Sequence, residues 1–197
     1  MTNRKRVAIL ISGRGSNMSA LIHAAKAPDY PAEIIGVFSN RAAAAGLDTA
    51  RGEGITTAAL AQSKFETRLD FENALTAILE AWRTDIVCMA GFMRILTPEF
   101  TTRWQGKAIN IHPSLLPDYK GLDTHARALA DGVAEAGCSV HFVTPGLDEG
   151  PVIAQARVPV LPNDTPGSLA ARVLVEEHKL YPEALRRLAA GEVAYPR

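Results

Sequence analysis

The chain has 197 residues, of which 47% are hydrophobic and 21% charged, and its 21 lysines and arginines are balanced by 21 aspartates and glutamates. This composition is typical of one folded globular domain and excludes a disordered chain, and zero net charge provides no broad basic surface for nucleic acid or an anionic membrane. We therefore expect a single cytoplasmic domain over residues 1–197, with neither nucleic acid nor a membrane as a partner.

The first half of the chain alternates short apolar runs with amphipathic segments. The runs lack polar alternation, which is typical of strands buried on both faces of a parallel sheet; they are residues 7–11, 34–38, 55–60 and 85–91. Helices are predicted between them at residues 18–26, around residues 47–51 and at residues 71–82. The first apolar run is too short for a signal peptide. This order predicts a Rossmann-like, doubly wound α/β sheet with right-handed crossovers.

The second half has a different pattern. Strands are predicted at residues 108–112, 140–143 and 152–160, and the last two form a hairpin or meander, which makes this part of the sheet mixed or antiparallel. Two helices, residues 168–181 and 182–190, are predicted to end the chain. The two cysteines, Cys88 and Cys138, have no paired spacing, so neither a disulfide scaffold nor a zinc site of thiolates is indicated.

The turn after the first strand, residues 13–17, is rich in glycine. Gly13 and Gly15 let the backbone approach a ligand, and the following helix N-terminus favours a phosphate. The alternative is that Ser16 or Asn17 only caps the helix. A dinucleotide site is disfavoured, because the third glycine of its fingerprint and the acidic residue after the second strand are both missing, although an arginine at position 41 leaves an opening for a 2′-phosphate.

Asn110 and His112 lie two residues apart at the end of a predicted strand, so their side chains share a face. Pro113 holds His112 extended and ends the strand. A carboxamide beside an imidazole suits attack on a carbonyl, because both can donate hydrogen bonds to the developing oxyanion. The alternative is a histidine satisfied by loop backbone groups.

Asp148 lies in a connection rich in glycine and proline, where such a side chain often caps its own turn. Its functional interpretation is a carboxylate close to His112 that favours the imidazolium form. His125 and His141 could line a cleft. No histidine pair has metal-ligand spacing with a third ligand, so no metal is expected.

Four segments occur in an order and spacing that resemble the phosphoribosylglycinamide formyltransferases, and the resemblance extends from about residue 7 to residue 182; the segments are residues 11–17, 90–96, 110–117 and 147–153. The resemblance implies the formyltransferase fold and direct transfer of a formyl group to the amine of N1-(5-phospho-D-ribosyl)glycinamide, a step of purine biosynthesis. It implies 10-formyltetrahydrofolate as co-substrate, with no metal and no nicotinamide, and two small-molecule substrates.

The same resemblance implies residue roles. Asn110, His112 and Asp148 match the catalytic trio. Residues matching the nucleotide site are Gly15, Ser16, Asn17, Met18, Ser19 and Glu177. Residues matching the folate site are Arg68, Met93, Arg94, Ile95 and Leu96, together with Asn110. Residues 1–105 then form the nucleotide-phosphate-binding half, and residues 106–197 form the catalytic and folate-cleft half.

Two positions depart from the family pattern: Asp123 stands where a histidine is frequent, and Pro145 where an acidic residue is common. Both are expected to flank the site without forming it, so they bear on pH dependence and loop mobility more than on the reaction. Related folate enzymes are alternatives, although a formyltetrahydrofolate hydrolase usually has an additional N-terminal domain and a methionyl-tRNA formyltransferase an additional C-terminal one. A phosphate-ligand sensor and an NADP oxidoreductase are alternatives of other classes. The oligomeric state, monomer or homodimer, stays open.

Overall fold

Seven strands form one sheet in the computed structural model, which describes residues 4–196. The strands are β1 (Lys5–Ile11), β2 (Ala32–Ser39), β3 (Thr56–Ala59), β4 (Ile86–Met89), β5 (Ala108–His112), β6 (Glu135–Phe142) and β7 (Val152–Pro159). Their order is β3-β2-β1-β4-β5-β6-β7. Strands β1 to β5 pair in parallel, and β6 and β7 pair antiparallel. The predicted doubly wound sheet with a mixed second half is confirmed.

Within residues 4–196, six α-helices cover the two faces of the sheet. They are α1 (Ser16–Ala25), α2 (Ala45–Gly52), α3 (Arg68–Ala81), α4 (Pro98–Arg103), α5 (Thr124–Ala130) and α6 (Pro166–Ala189), and a short 3₁₀ turn lies at Gln62–Lys64. Alternate residues of β1 enter two separate cores: Val7 and Ile9 pack with α1, α2 and α6, whereas Ala8 and Leu10 pack with α3 and α4. A strand covered on both faces has no polar alternation, which explains the apolar run at residues 7–11.

The C-terminal helix corrects the sequence prediction of two helices. Helix α6 runs unbroken through Pro182, although a proline inside a helix removes one backbone hydrogen bond. A single buried face holds the helix together across this point, since Val173 and Leu185 on either side are fully buried. The carbonyl of Pro182 also accepts a hydrogen bond from the Tyr30 hydroxyl at 2.6 Å. Packing therefore overrides the local break.

Two short helices and part of one strand were missed by the sequence prediction. Helices α4 and α5 have six and seven residues, too few to show a helical period. Strand β6 begins at Glu135, five residues before the predicted start, because its first part contains small residues. One of them, Gly137, is required by the pairing: a Cβ there would lie 2.0 Å from the carbonyl oxygen of Ala156 on β7.

The strand order reverses between β1 and β4, and ligands of open α/β sheets bind outside the carboxyl ends of the strands at such a point. The two strand ends are joined there, because the N–H of Ser12 donates to the carbonyl of Gly91 at 3.1 Å. Among residues 4–196, no helix is long and apolar enough to cross a membrane.

Candidate active site

A cavity of about 690 Å³ opens at the carboxyl ends of β4 and β5. Its walls come from the segment after β4, the end of β5, the loop before α5 and the connection between β6 and β7. Asn110, His112 and Asp148 all line it, so the fold brings together three residues that the sequence grouped.

Asn110 and His112 face the cavity from β5. Strand β6 places His141 directly opposite Asn110, and the Asn110 Nδ2 lies 3.2 Å from the His141 Nε2. His141 Nδ1 lies 2.8 Å from the carbonyl oxygen of Phe142 and donates to it. The Nε2 of His141 therefore lies within reach of both the Asn110 side-chain amide and the Asp148 carboxylate, and its contact with the amide orients that amide.

The Asp148 carboxylate is buried between the two histidines. Its Oδ2 lies 3.4 Å from His112 Nδ1, and its Oδ1 lies 3.6 Å from His141 Nε2. It accepts a hydrogen bond from the N–H of Gly121 at 2.9 Å, so it connects to another loop instead of capping its own turn. Burial raises the pKa of Asp148, but the His141 contact, the Gly121 bond and the charge of His112 outweigh burial and leave this pKa below its usual value.

Both ring nitrogens of His112 face acceptors. Nε2 lies 2.9 Å from the carbonyl oxygen of Tyr119, and Nδ1 faces the Asp148 carboxylate. A neutral imidazole has one N–H, whereas an imidazolium has one for each acceptor. His112 therefore has two partners. One is the loop carbonyl expected under the alternative interpretation, and the other is the Asp148 carboxylate.

The glycine-rich turn leads into α1 without a side-chain cap. Gly15 is the N-cap residue and has a left-handed backbone with φ of 75°, which favours glycine. The alternative interpretation, that Ser16 or Asn17 only caps the helix, is wrong, because neither side chain makes a capping bond. The N–H groups of residues 16–18, in the first turn, have no intrahelical acceptor. Only the main chain of Met18 can face a ligand there, since its side chain is fully buried in the core.

Asn17 and Glu177 form a buried pair between α1 and α6. The Asn17 Nδ2 donates to the Glu177 Oε2 at 2.6 Å. Burial raises the pKa of Glu177, although the Asn17 bond and the charge of His112 act in the opposite direction. Within the described residues, the buried Asn17 Oδ1 has no hydrogen-bond partner. The predicted nucleotide residues from opposite ends of the chain are thus brought into contact.

Four apolar side chains stand at the mouth of the cavity, each more than half exposed; this apolar rim consists of Met93, Ile95, Leu122 and Leu147. Arg94 and Leu96 also line the cavity. Arg68 is not among the lining residues and is exposed at the first residue of α3. Besides Asn110, five residues are predicted from the sequence to bind the folate. Four of them line the cavity together, and Arg68 lies apart.

The formyl transferase family model matches residues 5–185 of the chain. Phosphoribosylglycinamide formyltransferase of Escherichia coli is 46% identical over 187 residues, which cover 95% of this chain and 88% of that protein. The chain belongs to the phosphoribosylglycinamide formyltransferases. The crystal structure of the Brucella melitensis enzyme of this name matches with a TM-score of 0.92 and 52% identity, covering 98% of this chain and all of that one.

Larger relatives contain a matching part as well. The human trifunctional purine biosynthetic protein adenosine-3 is 48% identical over 190 residues, which are 96% of this chain. The chain spans about a fifth, 19%, of the length of that relative.

Sequence reasoning missed three contributors to the site of this formyltransferase. His141 was identified only as a possible cleft residue, yet it contacts both Asn110 and Asp148. The Tyr119 carbonyl and the Gly121 N–H are backbone groups, which carry no sequence signal. The position of His141 opposite Asn110 becomes visible only once the register of β5 and β6 is known.

Three further residues predicted near the site do line the cavity of this formyltransferase. They are His125, Asp123 and Pro145. Burial, and secondarily the charge of His112, lowers the pKa of His125. Among the residues that the structure describes, no group of three or more histidine, cysteine or acidic side chains could hold a metal ion.

Proposed function

We propose that this formyltransferase moves the formyl group of 10-formyltetrahydrofolate directly to the amine of N1-(5-phospho-D-ribosyl)glycinamide. The products are the formylated nucleotide and tetrahydrofolate, in de novo purine (IMP) biosynthesis. The observation that carries the proposal is the convergence of Asn110, His112 and Asp148 in one cavity, at the reversal of strand order. A helix N-terminus and an apolar rim border the same region.

The nucleotide is proposed to bind through residues 1–105. Its phosphate meets the free N–H groups at the start of α1, with Gly15, Ser16 and Ser19 around it and the positive end of the helix dipole behind. Asn17 and Glu177 then face the glycinamide end. This arrangement is supported by their buried contact, in which the Asn17 carbonyl oxygen has no hydrogen-bond partner among the described residues.

The formyl donor is proposed to bind against the apolar rim. Its ring system covers Met93 and Ile95, while Leu96 supports the segment from the core. Arg94 lies at the cavity, and Arg68 lies outside it, where it is suited to the glutamate tail of the folate. The protein has no net charge, so attraction for two anionic substrates has to come from such local groups.

In the proposed reaction the amine nitrogen attacks the formyl carbon, and the electrons of the C=O bond move to oxygen. The Asn110 amide and the protonated His112 donate hydrogen bonds to this oxyanion. The His112 N–H that faces the Tyr119 carbonyl donates its hydrogen bond to the oxyanion instead, while Asp148 keeps the ring protonated. The intermediate then breaks its bond to the folate nitrogen. The surplus proton of the amine passes through water near Asp148 to that nitrogen.

The chemistry proposed uses no metal and no nicotinamide. The cytoplasmic location is a prediction from the sequence, and monomer and homodimer are the two oligomeric states that the sequence allows.

The experiment measures tetrahydrofolate formed from 10-formyltetrahydrofolate, with and without the nucleotide. We expect turnover only when the nucleotide is present, and a severe loss in His112→Ala. His23→Ala is the matched control, because His23 is exposed on α1 and does not line the cavity. Turnover without the nucleotide would instead indicate a hydrolase, and binding of both ligands without turnover would indicate a sensor.

A further inference from the structure

Residues 92–96 form an irregular segment between β4 and α4, here called the donor loop. Phe92 and Leu96 at its ends are 5% and 7% exposed and pack in the core, whereas Met93 and Ile95 between them are 64% and 57% exposed over the cavity. A hydrogen bond inside the loop, from the N–H of Arg94 to the carbonyl of Phe92, spans only two residues. The path of the donor loop therefore depends on groups outside it.

The first such group is the hydroxyl of Ser12 at the end of β1. Ser12 is 4% exposed, and its Oγ accepts a hydrogen bond from the N–H of Met93 at 2.9 Å. The same Oγ donates to the Oδ1 of Asn40 after β2, at 2.6 Å. A hydroxyl has a single proton, so donation to Asn40 leaves its lone pairs for the Met93 N–H. Three strand ends are thus joined through one side chain.

The second group is the carboxylate of Glu72 on α3. Glu72 is 2% exposed, and both of its oxygens lie 3.1 Å from the backbone nitrogen of Thr97. The Thr97 hydroxyl also donates to it. Burying a carboxylate is costly unless hydrogen bonds satisfy it, and Thr97 supplies these bonds immediately after the donor loop. Thr97 in turn caps α4, so Glu72 fixes the far end of the loop to two helices.

We propose that Ser12 and Glu72 are positioning residues for the formyl donor. Each holds one end of the donor loop, and together they keep Met93 and Ile95 exposed over the cavity, where the ring system of the donor would lie. The proposal rests on the proposed function, because the loop is a donor site only if a folate binds there. Neither residue contacts the reacting atoms.

Ser12→Ala leaves the Met93 N–H and the Asn40 carbonyl oxygen without their partner. Loss of one such bond corresponds to about a tenfold change in an equilibrium. We expect the KM for 10-formyltetrahydrofolate to rise about tenfold, and the KM for the nucleotide to change less than about twofold. Glu72→Gln keeps one oxygen acceptor but turns an NH₂ group toward the Thr97 donors. We expect the KM for 10-formyltetrahydrofolate to rise in this variant as well, by a smaller factor than in Ser12→Ala.

Thr165→Ala is the matched control. Its hydroxyl accepts from the N–H of Ser168 at the start of α6, away from the cavity, so a hydroxyl is lost and the helix is weakened without any change to the donor loop. We expect the Tm of Thr165→Ala to fall about as much as that of Ser12→Ala, with both KM values unchanged. This variant separates positioning from a general loss of stability.

Amide hydrogen exchange of the peptide containing residues 92–97 gives a readout independent of activity. Faster exchange confined to that peptide in Ser12→Ala, together with the raised donor KM, supports the proposal. Unchanged exchange, or equal rises of both KM values, overturns it. Faster exchange with an unchanged donor KM also overturns it, while nucleotide-dependent turnover by the parent enzyme shows that the proposed function itself stands.

Discussion

At the residue scale, Asn110 isolates one step of the proposed reaction, because its amide is oriented by His141 and can donate to the oxyanion. Removing one donor of this kind from an enzyme costs about 10²–10³ in kcat. We expect Asn110→Ala to lose about that factor in kcat, with smaller changes in either KM.

Single-turnover kinetics, in parallel with Tm, measure this effect. A loss of less than about tenfold with an unchanged Tm would exclude Asn110 as a principal oxyanion donor.

Glu177 is a buried carboxyl group whose ionisation opposes the stability of the fold. Burial raises its pKa, so the folded protein holds the proton to a higher pH than the unfolded chain, whose glutamate has a pKa of about 4.3. As the pH rises above that value the unfolded chain binds fewer protons, and the free energy of unfolding falls until the folded group also ionises.

Glu177→Gln retains an acceptor for Asn17 and removes this pH dependence. We expect a higher Tm than the parent at pH 8, a difference that shrinks toward pH 4, and a raised KM for the nucleotide. Thermal melts across this pH range test the first part. A variant less stable than the parent at pH 8 would contradict it.

At the scale of elements, α6 combines a local break with long-range packing. Pro182 removes one hydrogen bond from the helix interior, and a proline there is about 3 kcal/mol less favourable than alanine. Part of this difference is offset because proline also restricts the unfolded chain, by up to about 1 kcal/mol.

Pro182→Ala is therefore expected to raise the free energy of unfolding by about 2 kcal/mol. The control is Pro166→Ala on the same helix, where proline occupies the first turn and its missing N–H costs nothing, so a change within about 0.5 kcal/mol is expected. Denaturant titration measures both. Destabilisation by Pro182→Ala would show that the backbone has adapted to the proline.

Sequence patterns predicted the elements whose information is local. Asn110 and His112 share a face because a strand repeats every two residues, and this needed no tertiary information. The meeting of Asp148 with His112 depends on a bond to Gly121 and on a left-handed backbone at Asp148, neither of which has a sequence period. His141 was underestimated for the same reason, since strand register is a long-range property.

At the scale of the whole molecule, the two halves predicted from the sequence share one core. Strand β4 pairs with β5 across their boundary, and helix α6 packs on α1. Buried side chains of residues 1–105 and 106–197 belong to the same cluster. The two predicted ligand-binding halves are therefore not separate folding units.

We expect thermal unfolding to be a single cooperative transition. Both tryptophans, Trp82 and Trp104, lie in the first half, whereas far-UV circular dichroism reports on both halves. The two signals should give coincident curves. A fluorescence midpoint separated from the dichroism midpoint would show that the halves unfold independently.

The apolar rim has a thermodynamic consequence for the binding of the two proposed substrates. Covering Met93, Ile95, Leu122 and Leu147 removes apolar surface from water, which makes the heat capacity change of binding negative. Backbone N–H groups that hold a phosphate remove little such surface. Calorimetry at several temperatures should therefore give a steep temperature dependence of the binding enthalpy for the folate and a shallow one for the nucleotide, so warming and cooling shift the heats of the two ligands unequally.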